Sequence, residues 1–456
     1  MANASVQCRI SGDLARKAFR ISAVFVASLV AIVVGTMPAS ATPICVSVGP
    51  GPLTITMNNL GTKAYVVNSA NHSVSVIDTA TQTVVSSFSV GSVVNAADIT
   101  PDGSKILYSS MGHDVVSFVD LATEQEAPRI NIGGRPSGVA INATGTRAYV
   151  SSYNGYLVAV VDLVNATVLS SIQVGVEPNG IDISPDGTKV YVANSASHTV
   201  SVISTATNTV TSTIPVPGYI WGLQFSPDGN RAYVTSQSDS VLQVIDATTD
   251  TLTANVPLDA GSPNQNNVLV SSDSSKIYVS NQSANTVHVL DASTLAIITT
   301  YTVNGAAGIA LTPSGDALYV SAANAAQVQV FGLPVLAAVA PIRATAGSSF
   351  NFAIPGSHVS SYAVTAGALP AGLSMNSQTG AVTGVATRAG TYTFTITATG
   401  SPSVSRSYTV VVDAASALAT TGSEASTGSD ATLGLGFGAG ALLLGALLVI
   451  RRRQAS

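Results

Sequence analysis

The chain has 456 residues, of which 46% are hydrophobic and only 9% are charged, and its formal net charge is −5. Residues 42–422 hold 11 Lys and Arg against 20 Asp and Glu, a net charge of −9 without basic clusters. This excess argues against nucleic acid or an anionic membrane as a partner, and the abundant, regularly placed β-branched residues exclude a disordered chain.

The first 41 residues read as a secretory signal peptide. A basic start is followed by an apolar stretch over residues 21–35 and then by Ala39-Ser40-Ala41. Small residues at Ala39 and Ala41 predict cleavage after Ala41, which makes Thr42 the mature N-terminus. An uncleaved anchor is the alternative.

That cleavage leaves one cysteine, Cys45, in the mature chain. An intramolecular disulfide is then impossible despite the oxidising location, so stability must come from packing and closure. We interpret Cys45 as a small buried apolar residue, with an intermolecular disulfide as the alternative. The residues before it do not form a lipoprotein box, so no lipid anchor is predicted.

Residues 42–333 form a repeat array with a period of 41 to 45 residues. The period is marked by seven tyrosines: Tyr65, Tyr108, Tyr149, Tyr191, Tyr233, Tyr278 and Tyr319. Each of the first six repeats holds four short strand signals, in the fourth repeat at 181–183, 189–192, 200–203 and 210–214. The pattern predicts a seven-bladed β-propeller with one four-stranded blade per repeat.

The seventh repeat lacks its fourth strand, since Gln327–Phe331 is followed by Gly332-Leu333-Pro334. Residues 44–48 resemble the missing strand. We predict that they complete the last blade across the termini, which removes two exposed sheet edges at once.

An aspartate recurs after the third strand of five repeats, at Asp78, Asp120, Asp162, Asp246 and Asp291. Blades that stack face to face cover most strands on both sides, which pushes charges into the turns. Repetition also spreads these carboxylates around the ring instead of bringing them together. We therefore interpret them as turn residues that bond their own backbone, and not as catalytic groups.

The segments Tyr191-Val192-Ala193-Asn194 and Tyr278-Val279-Ser280-Asn281 stand near Val-Ser-Val-Ile and Ser-Pro-Asp-Gly elements. They resemble the YVTN-type propeller repeats of prokaryotic surface-layer and cell-surface proteins. The resemblance is specific for the fold and weak for activity, because propellers host many functions. Some repeats depart from the motif, as at Tyr108–Met111.

Residues 334–413 lose the period and contain alternating strands bounded by Gly and Pro, which predicts a small β-sandwich. The segments 369–373 and 379–384 resemble the immunoglobulin-like modules common in bacterial surface proteins. The resemblance implies a stalk, and residues 414–430 then form a flexible linker.

The linker contains Leu418-Ala419-Thr420-Thr421-Gly422. An apolar run at 431–450 is about as long as a transmembrane helix, and the basic tail at 451–456 would hold its end in the cytoplasm. The whole resembles an LAxTG-type cell-wall sorting signal of high-GC Gram-positive bacteria. It implies that a sortase cleaves after Thr421 and joins Thr421 to a cell-wall precursor or peptidoglycan. The alternative is a plain membrane anchor.

The candidate ligand-binding site is the propeller face that carries the connections between blades and the turns between second and third strands. Its aromatic side chains are Tyr153, Tyr156, Tyr219 and Trp221, and its amides are Asn95, Asn179 and Asn266. In the alignment of the repeats, Trp221 occupies the same position as Gly51, Asn95, Ser137, Asn179, Asn266 and Ala307. We expect this position to lie at the mouth of the central channel. Aromatics beside amides suit sugars or extended peptides, whereas local packing of Trp221 is the alternative.

No metal or cofactor site is predicted, because the five histidines fall in separate parts of the chain and no phosphate loop or nucleophile motif stands out. We expect a monomeric, wall-anchored surface protein that binds a protein or glycan or contributes to the surface coat. The alternative is a secreted propeller enzyme, such as a lactonase or an oxidoreductase, although the aligned mouth positions offer no group that titrates near neutral pH.

Overall fold

A computed structural model describes residues 9–10, 42–91, 93–259 and 265–415. Within these ranges the chain is all-β, and its helical content is one short 3₁₀ turn at Ala323–Ala325. No helix in this part of the chain has the length and apolarity to cross a membrane. Ala39 and Ala41 of the predicted signal cleavage site, the sorting motif 418–422 and the predicted span 431–450 lie outside the described residues.

Seven four-stranded antiparallel sheets form the blades of a propeller. The strands of each blade are given from the innermost outward. Blade one has Pro52–Met57, Lys63–Asn68, Ser73–Asp78 and Thr83–Ser89; blade two has Val94–Ile99, Lys105–Ser110, Val115–Asp120 and a split outer strand, Gln125–Glu126 with Ile130–Asn131; blade three has Pro136–Ile141, Arg147–Ser152, Leu157–Asp162 and Thr167–Gln173. Blade four has Pro178–Ile183, Lys189–Asn194, Thr199–Ser204 and Thr209–Pro215; blade five has Ile220–Phe225, Arg231–Ser236, Val241–Asp246 and Thr251–Pro257; blade six has Gln265–Val270, Lys276–Asn281, Thr286–Asp291 and Ile297–Thr302; blade seven has Ala306–Leu311, Ala317–Ala322, Gln327–Gly332 and Ile44–Ser47.

The ring closes as predicted. Ile44–Ser47 pairs antiparallel with Gln327–Gly332 as the fourth strand of blade seven, and Arg9–Ile10 adds a short parallel pair to Ile44 and Cys45. Cys45 is buried, as expected. In the full-length chain it is disulfide-bonded, whereas the interpretation of Cys45 as an unpaired apolar residue concerns the chain after signal removal and stays a prediction.

The apolar core lies between blades. One buried cluster joins Tyr191, Val200 and Val202 of blade four to Ile220 and Phe225 of blade five, and the others repeat this arrangement around the ring. Second and third strands are buried along almost their whole length, which confirms that they are covered on both sides. The outer strands of blades three and four are mostly exposed or half-buried and each has one buried residue, Ile172 and Ile214, because these strands lie at the outer edge of the blades.

Three of the tyrosines that mark the repeat, Tyr149, Tyr191 and Tyr319, connect neighbouring blades. Each of the three reaches the hairpin between third and fourth strands of the next blade, where Tyr149 OH donates to Asn208 Oδ1 at 3.1 Å and Tyr319 OH accepts from Gln82 Nε2 at 2.8 Å. Tyr191 OH likewise donates to Asp250 Oδ1. In each case the hairpin residue that bonds the tyrosine has a left-handed backbone conformation; at Asn208, φ is 53°.

The recurring aspartates act as turn residues. Oδ1 of Asp78 accepts from the backbone N–H of Ala80 at 3.1 Å and of Thr81 at 2.8 Å, and Asp120, Asp162, Asp246 and Asp291 make the same pair of bonds. Hydrogen bonds to the hydroxyl of Ser293 and to the backbone of Thr294 lower the pKa of Asp291 to about 2.

The second module is a β-sandwich. Its larger sheet runs in the order Ile342–Thr345, Val404–Asp413, Gly390–Thr399 and Ser361–Gly367, its smaller sheet in the order Ser349–Ala353, Ala381–Val385 and Leu373–Met375, and Val335–Leu336 pairs with Gly356–Ser357. The core between the sheets includes Phe394, Tyr408 and Val382. The hydroxyl of Tyr301 in blade six donates to Ser401 O at 2.5 Å, so the sandwich contacts the propeller directly.

Candidate functional site

The innermost strands surround a central cavity of about 560 Å³. Asn95, Asn179 and Trp221 line it, as the sequence predicts, and Ala307 lines it at the aligned position of blade seven. The alignment of Gly51 with these residues is wrong. Because Pro52 pairs with Asn68 as Pro178 pairs with Asn194, Leu53 occupies the mouth position in blade one and lines the cavity. Asn266 lies in Gln265–Val270, and its side chain is outside the described part of the chain.

Hydroxyl groups on the second strands hold this rim in place. Ser151 Oγ accepts from Gly138 N at 2.8 Å and donates to Asn179 O in the next blade at 2.6 Å. Equivalent hydroxyls in four further blades accept from their own innermost strand, at Ser109, Thr235, Ser280 and Ser321. Each such bond fills a bulge in the innermost strand, so the rim is built as a rigid scaffold.

A second group of predicted residues meets on the face around the mouth. Tyr153 OH and Tyr219 OH lie 2.7 Å apart, and Tyr219 OH donates to Glu177 Oε2 at 2.8 Å. The Arg135 guanidinium lies 5.8 Å from the Tyr153 ring centroid, a cation–π contact. Desolvation raises the pKa of both tyrosines, and Glu177 raises them further, so both hydroxyls stay protonated at neutral pH.

Glu177 and Arg135 hold an unusual backbone. Their φ values are 56° and 57°, the left-handed region, and each lies directly before the innermost strand of its blade. At the same position blades one and seven have Gly51 and Gly305, which adopt positive φ without steric cost. A non-glycine residue in this conformation is disfavoured by roughly 1 kcal/mol. The presence of Glu177 and Arg135 at these positions therefore indicates that their side chains have a role.

The remaining predicted aromatic, Tyr156, is 44% exposed in the turn between second and third strands of blade three, on the same face. Trp221 is half-buried. The structure thus gathers Tyr153, Tyr219 and Glu177 into one network, places Trp221 in the channel and leaves Tyr156 open to solvent.

Two channel residues escaped sequence reasoning. Asp98 and Asp182 line the cavity below the mouth, and burial raises the pKa of Asp98 to about 6 and that of Asp182 to about 7, with the nearby Asp98 charge adding to the second shift. They read as strand residues among apolar neighbours. Their shared place, three residues after Asn95 and Asn179 in the innermost strand, was the signal that could have found them.

Both carboxylates are engaged by the backbone. Asp182 accepts from Ile183 N and from Phe225 N of the next blade, both at 2.8 Å, and Asp98 bonds Ile99 N and Ile141 N in the same way. In blade five the neutral Gln224 takes this place and accepts from Val270 N at 2.8 Å. An amide can therefore perform the same role, which indicates that these side chains serve to hydrogen-bond one blade to the next.

The histidines do not converge. His72 and His198 lie in equivalent turns of blades one and four, whereas His288 is buried in a third strand, where Nε2 lies 2.8 Å from Asp259 Oδ1 and Nδ1 lies 2.8 Å from Thr300 Oγ1. No group of three or more His, Cys, Asp or Glu side chains within the described ranges could hold a metal ion.

Fold and site define a seven-bladed β-propeller with a polar, aromatic channel mouth, joined to an immunoglobulin-like sandwich. The family described as "Lactonase, 7-bladed beta-propeller" matches residues 222–335, and the family described as "Putative Ig domain" matches residues 333–413. Each match covers less than half of the chain. No curated protein matches it.

Among solved structures, the chain is similar to Kuenenia stuttgartiensis Hydrazine Synthase, with a TM-score of 0.56 and 22% sequence identity over 66% of this chain and 99% of that one. At this identity the likeness concerns the fold alone. It supports the all-β propeller assignment and carries nothing about activity.

Proposed function

We propose that this protein is a cell-surface binding protein whose propeller holds an extracellular protein or glycan at its channel mouth. The observation that carries the proposal is the joined network of Tyr153, Tyr219 and Glu177 beside the channel that Trp221 lines. Half-buried aromatic rings with fixed polar groups between them offer stacking surface and directed hydrogen bonds at low entropic cost. Contribution to a surface coat would use the same face.

The test is an array of glycans and matrix proteins probed with the full chain. We expect saturable binding that Trp221→Ala and Tyr156→Ala weaken by about tenfold or more, as central aromatic anchors do. The matched control is Val164→Ala, which removes an exposed apolar side chain from a turn on the opposite face. Equal binding by all of these variants would refute the mouth as the site.

We also propose the route by which the protein reaches the surface. The signal at 1–41 would export it, and a sortase would join Thr421 to the cell-wall precursor of a Gram-positive, actinobacterial cell. The repeats would be of the YVTN type found in surface-layer proteins. The sandwich would then stand between the wall and the propeller as a stalk.

A lactonase is the second candidate, favoured by the family match over 222–335 and by the two channel carboxylates. The matched range contains neither Asp98 nor Asp182, and the backbone bonds to both carboxylates fit a structural role better. We therefore expect no hydrolysis of aliphatic lactones by the full chain above background. Hydrolysis that Asp182→Asn abolishes without loss of the fold would establish the enzyme instead.

A further inference from the structure

A row of hydrogen bonds runs around part of the channel mouth from blade to blade. Asn95 Nδ2 of blade two donates to Ser137 Oγ of blade three at 2.8 Å, and Ser137 Oγ donates to Asn179 Oδ1 of blade four. The three residues occupy the second position of consecutive innermost strands. Each bond points the same way, so each polarises the next.

The row ends on a donor without an acceptor. Asn179 is 3% exposed, and its Nδ2 has no hydrogen-bond partner among the described residues. The next position in the ring is Trp221, whose indole N–H donates and cannot accept. A buried donor left unpaired is costly, and native structures commonly satisfy such groups with water or a ligand.

The backbone next to this donor approaches the backbone of Trp221 closely. A Cβ on Gly180 would collide with Trp221 O, so glycine at 180 is what allows the innermost strands of blades four and five to meet here. Asn179 and Trp221 both line the cavity. Asn179, with its buried unpaired amide donor, and Trp221 therefore occupy adjoining innermost strands on one wall of the channel.

The charges around this wall select among ligands. Glu177 lies two residues before Asn179 at the mouth, and Asp98 and Asp182 lie below it. Arg135 is the one cation found beside the mouth network in the described structure, and it is turned toward the Tyr153 ring. Anionic ligands would meet repulsion, whereas neutral hydroxyl groups can donate to Glu177 and accept from Asn179.

The geometry points to a neutral saccharide as the ligand: we propose that a sugar ring stacks on Trp221 while one of its oxygens accepts the free N–H of Asn179. The inference rests on the proposed function and names its ligand class. Sugars present an apolar C–H face and a rim of hydroxyls, which matches an indole beside an amide donor and a carboxylate.

The test uses the intrinsic fluorescence of Trp221, the sole tryptophan of the chain, which reports this wall directly. The full chain is titrated with neutral glucose and N-acetylglucosamine oligomers, with the corresponding uronic-acid oligomers, and with an uncharged extended peptide. We expect a saturable change with one class of neutral oligomer, and affinity at least about tenfold lower for its uronate counterpart.

Calorimetry on variants then tests Asn179. Asn179→Leu removes the donor, together with the oxygen that accepts from Ser137 Oγ, and should weaken neutral saccharide binding by about tenfold, as expected for loss of one buried hydrogen bond to the ligand. Asn154→Leu makes the same replacement at an exposed position on the same face and should bind within about twofold of the unsubstituted chain. Thermal melting of both variants checks that they fold.

Three outcomes would overturn the inference. One is the absence of any saturable response to neutral saccharides, and another is a folded Asn179→Leu protein that binds as tightly as the parent, which would leave water as the partner of Asn179. The third is binding of the peptide alone. If the array nevertheless yields a protein ligand that Trp221→Ala loses, the proposed function stands and only the saccharide assignment fails.

Discussion

At the scale of single residues, the electrostatics divide into two classes. Turn aspartates such as Asp102 bind hydroxyl and backbone donors at the surface, which lowers the pKa of Asp102 to about 2. Channel aspartates are desolvated, which raises the pKa of Asp98 to about 6 and that of Asp182 to about 7. The same residue type therefore acts on stability in opposite directions.

The sign of the pH dependence follows. Asp98 and Asp182 hold more protons in the folded state than in the unfolded state between about pH 4 and pH 7, so the free energy of unfolding falls as pH rises through that window. We expect a fall of about 1–3 kcal/mol in urea unfolding from pH 4.5 to 8. In the double variant Asp98→Asn, Asp182→Asn, the free energy of unfolding should change little with pH over this range.

Asp102→Asn is the matched control for this measurement. The pKa of Asp102 lies below the window of pH 4 to 7, so the stability that its carboxylate contributes is lost only as pH falls from about 4 toward 2. An unchanged slope between pH 4.5 and 8 in the double variant would show that the channel carboxylates are not the groups that titrate.

At the scale of elements, contacts between blades explain the period of the sequence. The repeated tyrosine could be recognised from spacing alone, but its role depends on a hairpin about 59 residues away, as between Tyr191 and Asp250. Tyr191→Phe removes that bond, and we expect the free energy of unfolding in urea to drop by about 1–2 kcal/mol. Tyr156→Phe, with an exposed hydroxyl, should leave it unchanged.

Closure of the ring is the second prediction at this scale. Deletion of residues 44–48 removes the outer strand of blade seven and exposes the edge of Gln327–Gly332. We expect a lower melting temperature and a tendency to aggregate through the freed edge. Ser47→Ala, an exposed change within the same strand, is the control, and a deletion protein that melts like the parent would contradict closure.

Sequence reasoning reached the fold because its signals are local. Strand alternation, the Pro-Asp-Gly turns and the aspartate at the end of five of the third strands lie within a few residues of the structure that they form. The mouth position of blade one was misplaced at Gly51, although Leu53 precedes Tyr65 by the same interval as Asn179 precedes Tyr191 and the same bulge follows Pro52 and Pro178. Asp98 and Asp182 were missed because which face of a strand meets the channel is settled only when seven blades assemble.

At the scale of the whole molecule, propeller and sandwich belong to one compact unit, joined by contacts such as Tyr301 with Ser401. A binding propeller on a stalk requires anchorage, which the proposal places at Thr421. Thr421→Ala should leave the protein in the membrane or medium and not in the wall fraction, as judged by release with a muralytic enzyme. Ser426→Ala, in the same linker beyond the motif, should remain wall-linked.

The central claim is that the channel mouth binds an extracellular ligand. A structure of the full chain with the tightest ligand from the array tests it most directly. The account predicts ligand density against Trp221 and within hydrogen-bond distance of Asn179 or Glu177. A ligand bound to the sandwich, or to the outer strands of the blades, would contradict it.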